Sequence, residues 1–353
     1  MRALMRLSPK ANDMELVNTE EPKILKSTDV KVKVVYAGVC GGTDIKLKKV
    51  DVGGRFDKLK PPVILGHEAS GYAVEVGTDV KKTKIGDRVV YETTVEPCGS
   101  CRYCHSGDWN MCSHRKGLGS STNGSFADFV VVPERNIRVI PSELSLKTAV
   151  LSEPMACAYH IVSERGCIKA GENVVIIGPG IIGLCCALVA LFSGANVVVI
   201  GTEKSRETRL KIAKKFGCHV LVNDGHNLKE RVQEIFDGEF ADLAIDAVGS
   251  QNSFNSGLSL VRKMGRVVIT GVPSLDTELY TIDMSYIYRN QICITSGRSS
   301  TPSSWTGSLK VLQKYHNQLE ELVSHVYSPE KWKEAFEATE KKQAIKAVID
   351  FEK

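Results

Sequence analysis

The N-terminal stretch, MRALMRLSPKANDMELV, has neither a long apolar run nor a small-residue cleavage site, so it does not read as a secretory signal. No group of Lys and Arg stands clear of acidic neighbours, and the net charge is only +5 over 353 residues. A nucleic-acid footprint is therefore not expected. Internal repeats are missing, which argues against a solenoid, and the only biased tract is the Ser/Thr-rich loop SGRSSTPSSWTG. An unbroken apolar run of membrane length is missing too. The nearest approach, VVIIGPGIIGLCCALVALFSGANVVVI, is broken early by glycines and Pro179 and reads as strand, turn, helix and strand. The expectation is a cytoplasmic protein with no membrane or nucleic-acid partner.

What is present is enough apolar material, 42%, to bury two cores of ordinary domain size. Eleven cysteines in a chain without an export signal do not suggest a disulfide framework. Cys157, Cys167, Cys185, Cys186, Cys218 and Cys293 lie within apolar segments and are expected to be small buried hydrophobes. From Lys31 to Val132, short β-rich runs such as VKVKVVYAGVC, GYAVEVG and DRVVYE are separated by Gly-rich turns, as in a small barrel or irregular β domain. After Leu151 the pattern becomes α/β. NVVIIG, NVVVIG, HVLVN, ADLAIDAVG and GRVVITGV read as strands, alternating with helical segments such as IIGLCCALVALFSG, SRETRLKIAKKFG and NLKERVQEIFDG. That alternation implies a parallel sheet with right-handed crossovers.

VVIIGPGIIG places Gly178, Gly180 and Gly183 in a GxGxxG arrangement between a strand and a helix. Gly178 permits the tight turn, Gly180 lets the backbone approach a pyrophosphate, and Gly183 allows close helix–strand packing. Ile181 and Ile182 open a helix whose N-terminal N–H groups face the phosphates. A dinucleotide is expected here. The next strand ends in GTEKSR, where Glu203 can accept from the ribose 2′- and 3′-hydroxyls of NAD, or Thr202, Lys204, Ser205 and Arg206 can hold the 2′-phosphate of NADP. Both readings stay open.

CGSCRYC and the following Cys112 give four thiols, Cys98, Cys101, Cys104 and Cys112, on one loop. This spacing fits a structural, tetrahedral Zn²⁺ with no position left for substrate; an iron–sulfur cluster or redox thiols are the competing readings. A more dispersed set, Cys40 in AGVCGGTD, His67 and Glu68 in LGHEASG, and Glu153 in LSEP, has a bland explanation for each member taken singly.

Taken in order, GVCGGTD, GHEASG, CGSCRYCHSGDWNMC, LSEP and GPGIIG resemble the zinc-dependent medium-chain dehydrogenases, most closely the sorbitol, threonine and glucose dehydrogenase branch, over essentially the whole chain. The resemblance implies an α/β plus β fold: a GroES-like catalytic domain over 1–155 with a zinc lobe at about 96–114, an inserted Rossmann domain over 156–290, and a segment over 291–353 that returns to the first domain. It implies two Zn²⁺ per chain, NAD or NADP, and a homodimer or homotetramer. It makes Cys40, His67 and Glu68 catalytic zinc ligands, with Glu153 binding directly or through water. One departure stands out. The family commonly has Cys-Gly-Ser/Thr-Asp, whereas Cys40-Gly41-Gly42-Thr43-Asp44 has an extra glycine. Thr43 can relay the substrate proton only if the loop absorbs it; Lys46 stands where a histidine is often found. The expected activity is oxidation of a secondary alcohol in a polyol, sugar or related hydroxylated metabolite. The carboxylate-rich zinc site and the polar GRSSTPSSW segment, with Arg298 as a candidate substrate contact, favour a polyhydroxylated substrate. A threonine-type dehydrogenase is the alternative enzyme, and a non-catalytic nucleotide-binding relative the alternative outside catalysis.

Overall fold

The computed structural model describes residues 1–52, 58–271 and 279–353. These form two compact units. The first comprises Met1–Glu153, Thr301–Trp305 and Leu312–Lys353; the second comprises Pro154–Ser300 and Thr306–Val311.

The first unit is organised around the strand Asp29–Gly38, where alternating DVKVKV places Val30, Val32 and Val34 in the core. Each such side chain contributes roughly 1.5–3 kcal/mol on burial, as an upper estimate. This strand pairs antiparallel with Glu68–Val76, Phe129–Pro133 and Lys346–Asp350, so the C-terminal strand lies inside a sheet begun by the N-terminal hundred residues. Aromatic contacts reinforce the return. Phe336, on the helix Trp332–Glu340, meets Phe126 edge-on at 5.8 Å and Trp332 at 5.6 Å.

The second unit holds a six-stranded, wholly parallel sheet in the order His219–Val222, Asn196–Gly201, Asn173–Ile177, Ala241–Asp246, Val261–Ile269, Cys293–Ser296. The order reverses between Asn173–Ile177 and Ala241–Asp246, so a crevice opens at the carboxyl ends of those two strands. The apolar stretch that could pass for a membrane span is strand Asn173–Ile177, helix Ile181–Phe192 and strand Asn196–Gly201. The helix is buried from Gly183 to Ala190, which explains its lack of a polar face. Among the described residues no helix is long and apolar enough to cross a membrane.

Two sequence expectations need correction. SSTPSSW is not a solvated loop: Pro302–Lys314 is a helix, and Thr301, Ser304, Trp305 and Ser308 are buried. The hydroxyls that suggested a loop are spent on capping, with Thr301 Oγ1 accepting from Ser304 N at 3.2 Å and Ser304 Oγ accepting from Thr301 N at 2.9 Å. Among the six cysteines expected in the core, Cys157, Cys185, Cys186 and Cys218 are buried, but Cys167 and Cys293 are exposed. Cys293 begins the edge strand of the sheet, and Cys167 sits in a turn with φ +49°.

Candidate metal centres and dinucleotide crevice

The cysteine lobe is closed at its base by the paired strands Thr94–Glu96 and Lys116–Gly117. Between them, a helical turn at Arg102–His105 and another at Trp109–Met111 bring Cys98, Cys101, Cys104 and Cys112 together, with all four sulfurs within 4.8 Å of one another. None is in a disulfide. The Cys98–Cys104 and Cys101–Cys104 sulfur separations are 3.8 and 3.5 Å. The edge of a tetrahedron with Zn–S bonds of about 2.3 Å is about 3.8 Å, so the lobe fits that ion. Backbone N–H groups of Ser100 and Cys101, with the Ser100 hydroxyl, face the Cys98 sulfur and pull its pKa down to about 6. Burial acts the other way on Cys104 and pushes its thiol up to about 12.

In the same unit a second cluster gathers Cys40, His67 and Glu68, whose ligand atoms also lie within 4.8 Å of one another. The extra glycine before Thr43 is taken up in a turn: the Cys40 carbonyl accepts from Asp44 N at 3.0 Å and Ile45 N at 3.4 Å, starting the helix Asp44–Lys49. Thr43 becomes the N-cap residue, exposed, with no capping bond from its side chain. Asp44 is fully buried; Oδ2 accepts from Cys40 N at 2.8 Å and Oδ1 faces His67 Nδ1 at 3.4 Å. Burial opposes charge on His67, but the Asp44 carboxylate and the Cys40 thiol outweigh it and raise its pKa well above the ordinary value. The far end of this helix is held by the fully buried Arg6, which donates to the carbonyls of Leu47 and, at 2.8 Å, Val50.

Glu68 opens the strand Glu68–Val76 and is 1% exposed. Its Oε2 accepts from Lys346 Nζ at 2.5 Å, and Lys346 also donates to the Val39 carbonyl at 3.2 Å. Sequence reasoning did not single out Lys346; its signal was a lysine inside the apolar strand AIKAVID. The pair forms because Gly38 lies opposite both Glu68 and Val348 on the strands flanking it. A Cβ at Gly38 would lie 2.5 Å from Glu68 Oε2, so only glycine leaves the two side chains room to meet. Burial works against the ammonium, but the Glu68 carboxylate, supported by Cys40 and Glu153, holds its pKa above the ordinary lysine range. Glu153 itself, 8% exposed in the first turn of Ser152–Tyr159, is outside the three-residue cluster. A half-buried thiol beside a buried imidazole and carboxylate is a donor set that suits zinc.

In the second unit the glycine loop follows the strand Asn173–Ile177 directly, and Gly180 caps the helix Ile181–Phe192. A Cβ at Gly183 would lie 1.9 Å from the Gly178 carbonyl oxygen, which explains the third glycine. Thr202, Glu203, Lys204 and Arg206 lie just beyond the neighbouring strand Asn196–Gly201. Arg298 is exposed.

Residues 26–142 match the family model described as the alcohol dehydrogenase GroES-like domain, and residues 182–314 match that of zinc-binding dehydrogenase. The chain is 35% identical to the D-arabitol-phosphate dehydrogenase of Enterococcus avium, covering 99% of this chain and 97% of that one. It is 35% identical to the sorbitol dehydrogenase of Halalkalibacterium halodurans, covering 99% of each. The chain belongs to the zinc-dependent medium-chain dehydrogenases. An alcohol dehydrogenase from Thermus sp. ATN1 superposes on this dehydrogenase with a TM-score of 0.86 at 26% identity over 99% of each chain. The GroES-like and Rossmann architecture implied by the motifs is thus that of the folded chain. The protein is an oxidoreductase acting on CH–OH donors, with zinc and a nicotinamide dinucleotide as cofactors.

Proposed function

We propose that this dehydrogenase oxidises a secondary alcohol of a polyol, sugar or related hydroxylated metabolite to the ketone, passing hydride to NAD(P)⁺ and releasing a proton. The observation that carries the reading is the cluster of half-buried Cys40 with buried His67 and Glu68, charge-balanced by Lys346, in a chain similar end to end to arabitol-phosphate and sorbitol dehydrogenases. Cys40, His67 and Glu68 would hold the catalytic zinc, with Glu153 adding a ligand directly or through water, and Cys98, Cys101, Cys104 and Cys112 would hold the structural one. Zinc supplies a Lewis acid toward the alcohol oxygen and the dinucleotide supplies the hydride acceptor. Asp44 Oδ1 faces His67 Nδ1 at 3.4 Å, so its carboxylate would steady the ring and favour Nε2 as the metal-facing nitrogen. Lys346 offsets the charge of Glu68, so that two anionic side chains share one buried space. Gly178, Gly180 and Gly183, with the N–H groups of Ile181 and Ile182, would receive the pyrophosphate.

The substrate proton must reach water, and Thr43 carries the only hydroxyl in CGGTD. Thr43→Val keeps the shape and removes the relay, and is expected to lower kcat by about 10²-fold at neutral pH. Zinc content and dinucleotide affinity should stay at wild-type values. Near-normal turnover would transfer the proton path to another group.

The reaction itself is tested by following reduced-cofactor absorbance with sorbitol, arabitol, arabitol phosphate and threonine. A polyol or its phosphate should exceed threonine in kcat/KM by at least about tenfold, since a site built to hydrogen-bond hydroxyls rejects what leaves its polar groups unpaired. Faster oxidation of threonine would overturn the polyol reading.

A further inference from the structure

The helix Asp44–Lys49 carries Asp44 beside Cys40 and His67, yet little in its own residues fixes where it lies. It is six residues long, too short to be stable alone, and its N-cap side chain makes no capping bond. Gly41 and Gly42 join it to Cys40, and glycine leaves the backbone the most freedom. Ile45 and Leu47 are buried, which sets the face turned to the core. Apolar contacts are non-directional, so they resist sliding along the helix axis only weakly.

Arg6 supplies what is missing. It ends the strand Arg2–Arg6 and is 0% exposed. Its guanidinium makes five hydrogen bonds, all of them to main-chain carbonyls. Three acceptors belong to the helix end: Nη1 donates to Leu47 and, at 3.3 Å, to Lys48, and Nη2 donates to Val50 at 2.8 Å. The other two follow Arg6 in the chain: Nε donates to Ser8 at 3.0 Å and Nη2 to Pro9 at 2.9 Å. A helix leaves its last carbonyls without partners and its C-terminus partly negative, so a planar cation with a fork of donors fits there. Backbone bonds run alongside, from Asn12 N to the Lys48 carbonyl at 2.7 Å and from Val52 N to the Pro9 carbonyl at 2.9 Å. The helix end is thus tied to the loop that follows the first strand.

We propose that Arg6 is a positioning residue of the catalytic metal centre, acting through Asp44. By fixing the far end of the helix it fixes where Asp44 stands along the axis. The Asp44 carboxylate in turn accepts from Cys40 N at 2.8 Å and faces His67 Nδ1 at 3.4 Å. Without Arg6 the two glycines let the helix drift, and Cys40 and His67 lose the geometry that zinc requires. A misplacement of about 1 Å is enough to cost about 10²-fold in rate. Lysine does not replace Arg6, because a single ammonium has no fork to span both segments.

The inference rests on Cys40, His67 and Glu68 holding the catalytic zinc, and the test keeps the two apart. Arg6→Lys, Asp44→Asn and the double variant are compared with the wild-type, zinc-loaded protein. The quantities read are kcat for sorbitol, the rate of zinc loss to pyridine-2,6-dicarboxylate, and the melting midpoint. Arg6→Lys is expected to lower kcat by about tenfold or more and to speed the loss of one zinc ion by about as much. KM for the dinucleotide should stay within about twofold, because the glycine loop lies in the other unit. In the Asp44→Asn background the same substitution should change either quantity by less than about twofold, since its route is already cut. Arg6→Gln repeats the test if a buried ammonium prevents folding, because its amide brings no charge into the core. A variant that lowers only the melting midpoint, or whose effects multiply in full with those of Asp44→Asn, makes Arg6 a structural rivet and overturns the inference. If Cys40→Ser keeps both metals and its rate, the zinc reading itself falls, and the role of Arg6 with it.

Discussion

Lys346→Met is expected to destabilise the protein by about 3–5 kcal/mol, read from the urea midpoint of the transition that exposes the first unit. The substitution keeps the volume and removes the ammonium, leaving Glu68, 1% exposed, as a buried carboxylate whose 2.5 Å partner is gone. Water cannot replace that partner in the sheet, because Gly38 fits between the two side chains with no spare room. The cost is that of an uncompensated charge, so it should not add to the cost of removing the charge. Glu68→Gln combined with Lys346→Met is expected to recover much of the loss, since two neutral side chains of similar shape remain. Additive losses would show that the ion pair does not couple the two strands. The single variant should also lose activity, through Glu68.

The other large effect is expected at Cys40. Cys40→Ser replaces a soft thiolate by a hydroxyl that binds zinc weakly, and the remaining His67 and Glu68 are a poor pair of ligands. Turnover should fall by about 10³-fold or more, the equivalent of several kcal/mol of lost charge stabilisation. Elemental analysis should find two zinc ions per chain before the substitution and one after it, with the melting midpoint little changed. Cys101→Ser should show the opposite balance: also one zinc, but a lower melting midpoint, because the short strand pair closes the loop from Cys98 to Cys112 at its base alone. A Cys40→Ser protein that keeps both metals and its rate would remove Cys40 from the site.

Several features were legible in the residues because their physics is local. Four cysteines within one short loop lie close along the chain, so their spacing already predicts the sulfur cluster that the fold makes. The glycine loop carries its strand before it and its helix after it, and the alternation of apolar strand and amphipathic helix gives a parallel sheet. Where the sequence misled, the same residue type serves two purposes. Hydroxyls in SSTPSSW read as solvated loop but cap and bury the start of Pro302–Lys314. Cys293 sits in an apolar segment but faces out from an edge strand, a position set by its having no neighbour on one side.

The sequence by itself determined the clustered cysteines, the glycine turn between strand and helix and the order of the two cores along the chain, since each depends on neighbours a few residues apart. Only the tertiary structure decided which distant residues share a space. Lys346 reaches Glu68 across 278 residues because three strands lie side by side with a glycine in the middle one. Asp44 turns toward His67 because an added glycine is absorbed into a helical turn. Buried charge balance and exclusion by contact are properties of packed neighbours in three dimensions, and a linear pattern does not carry them.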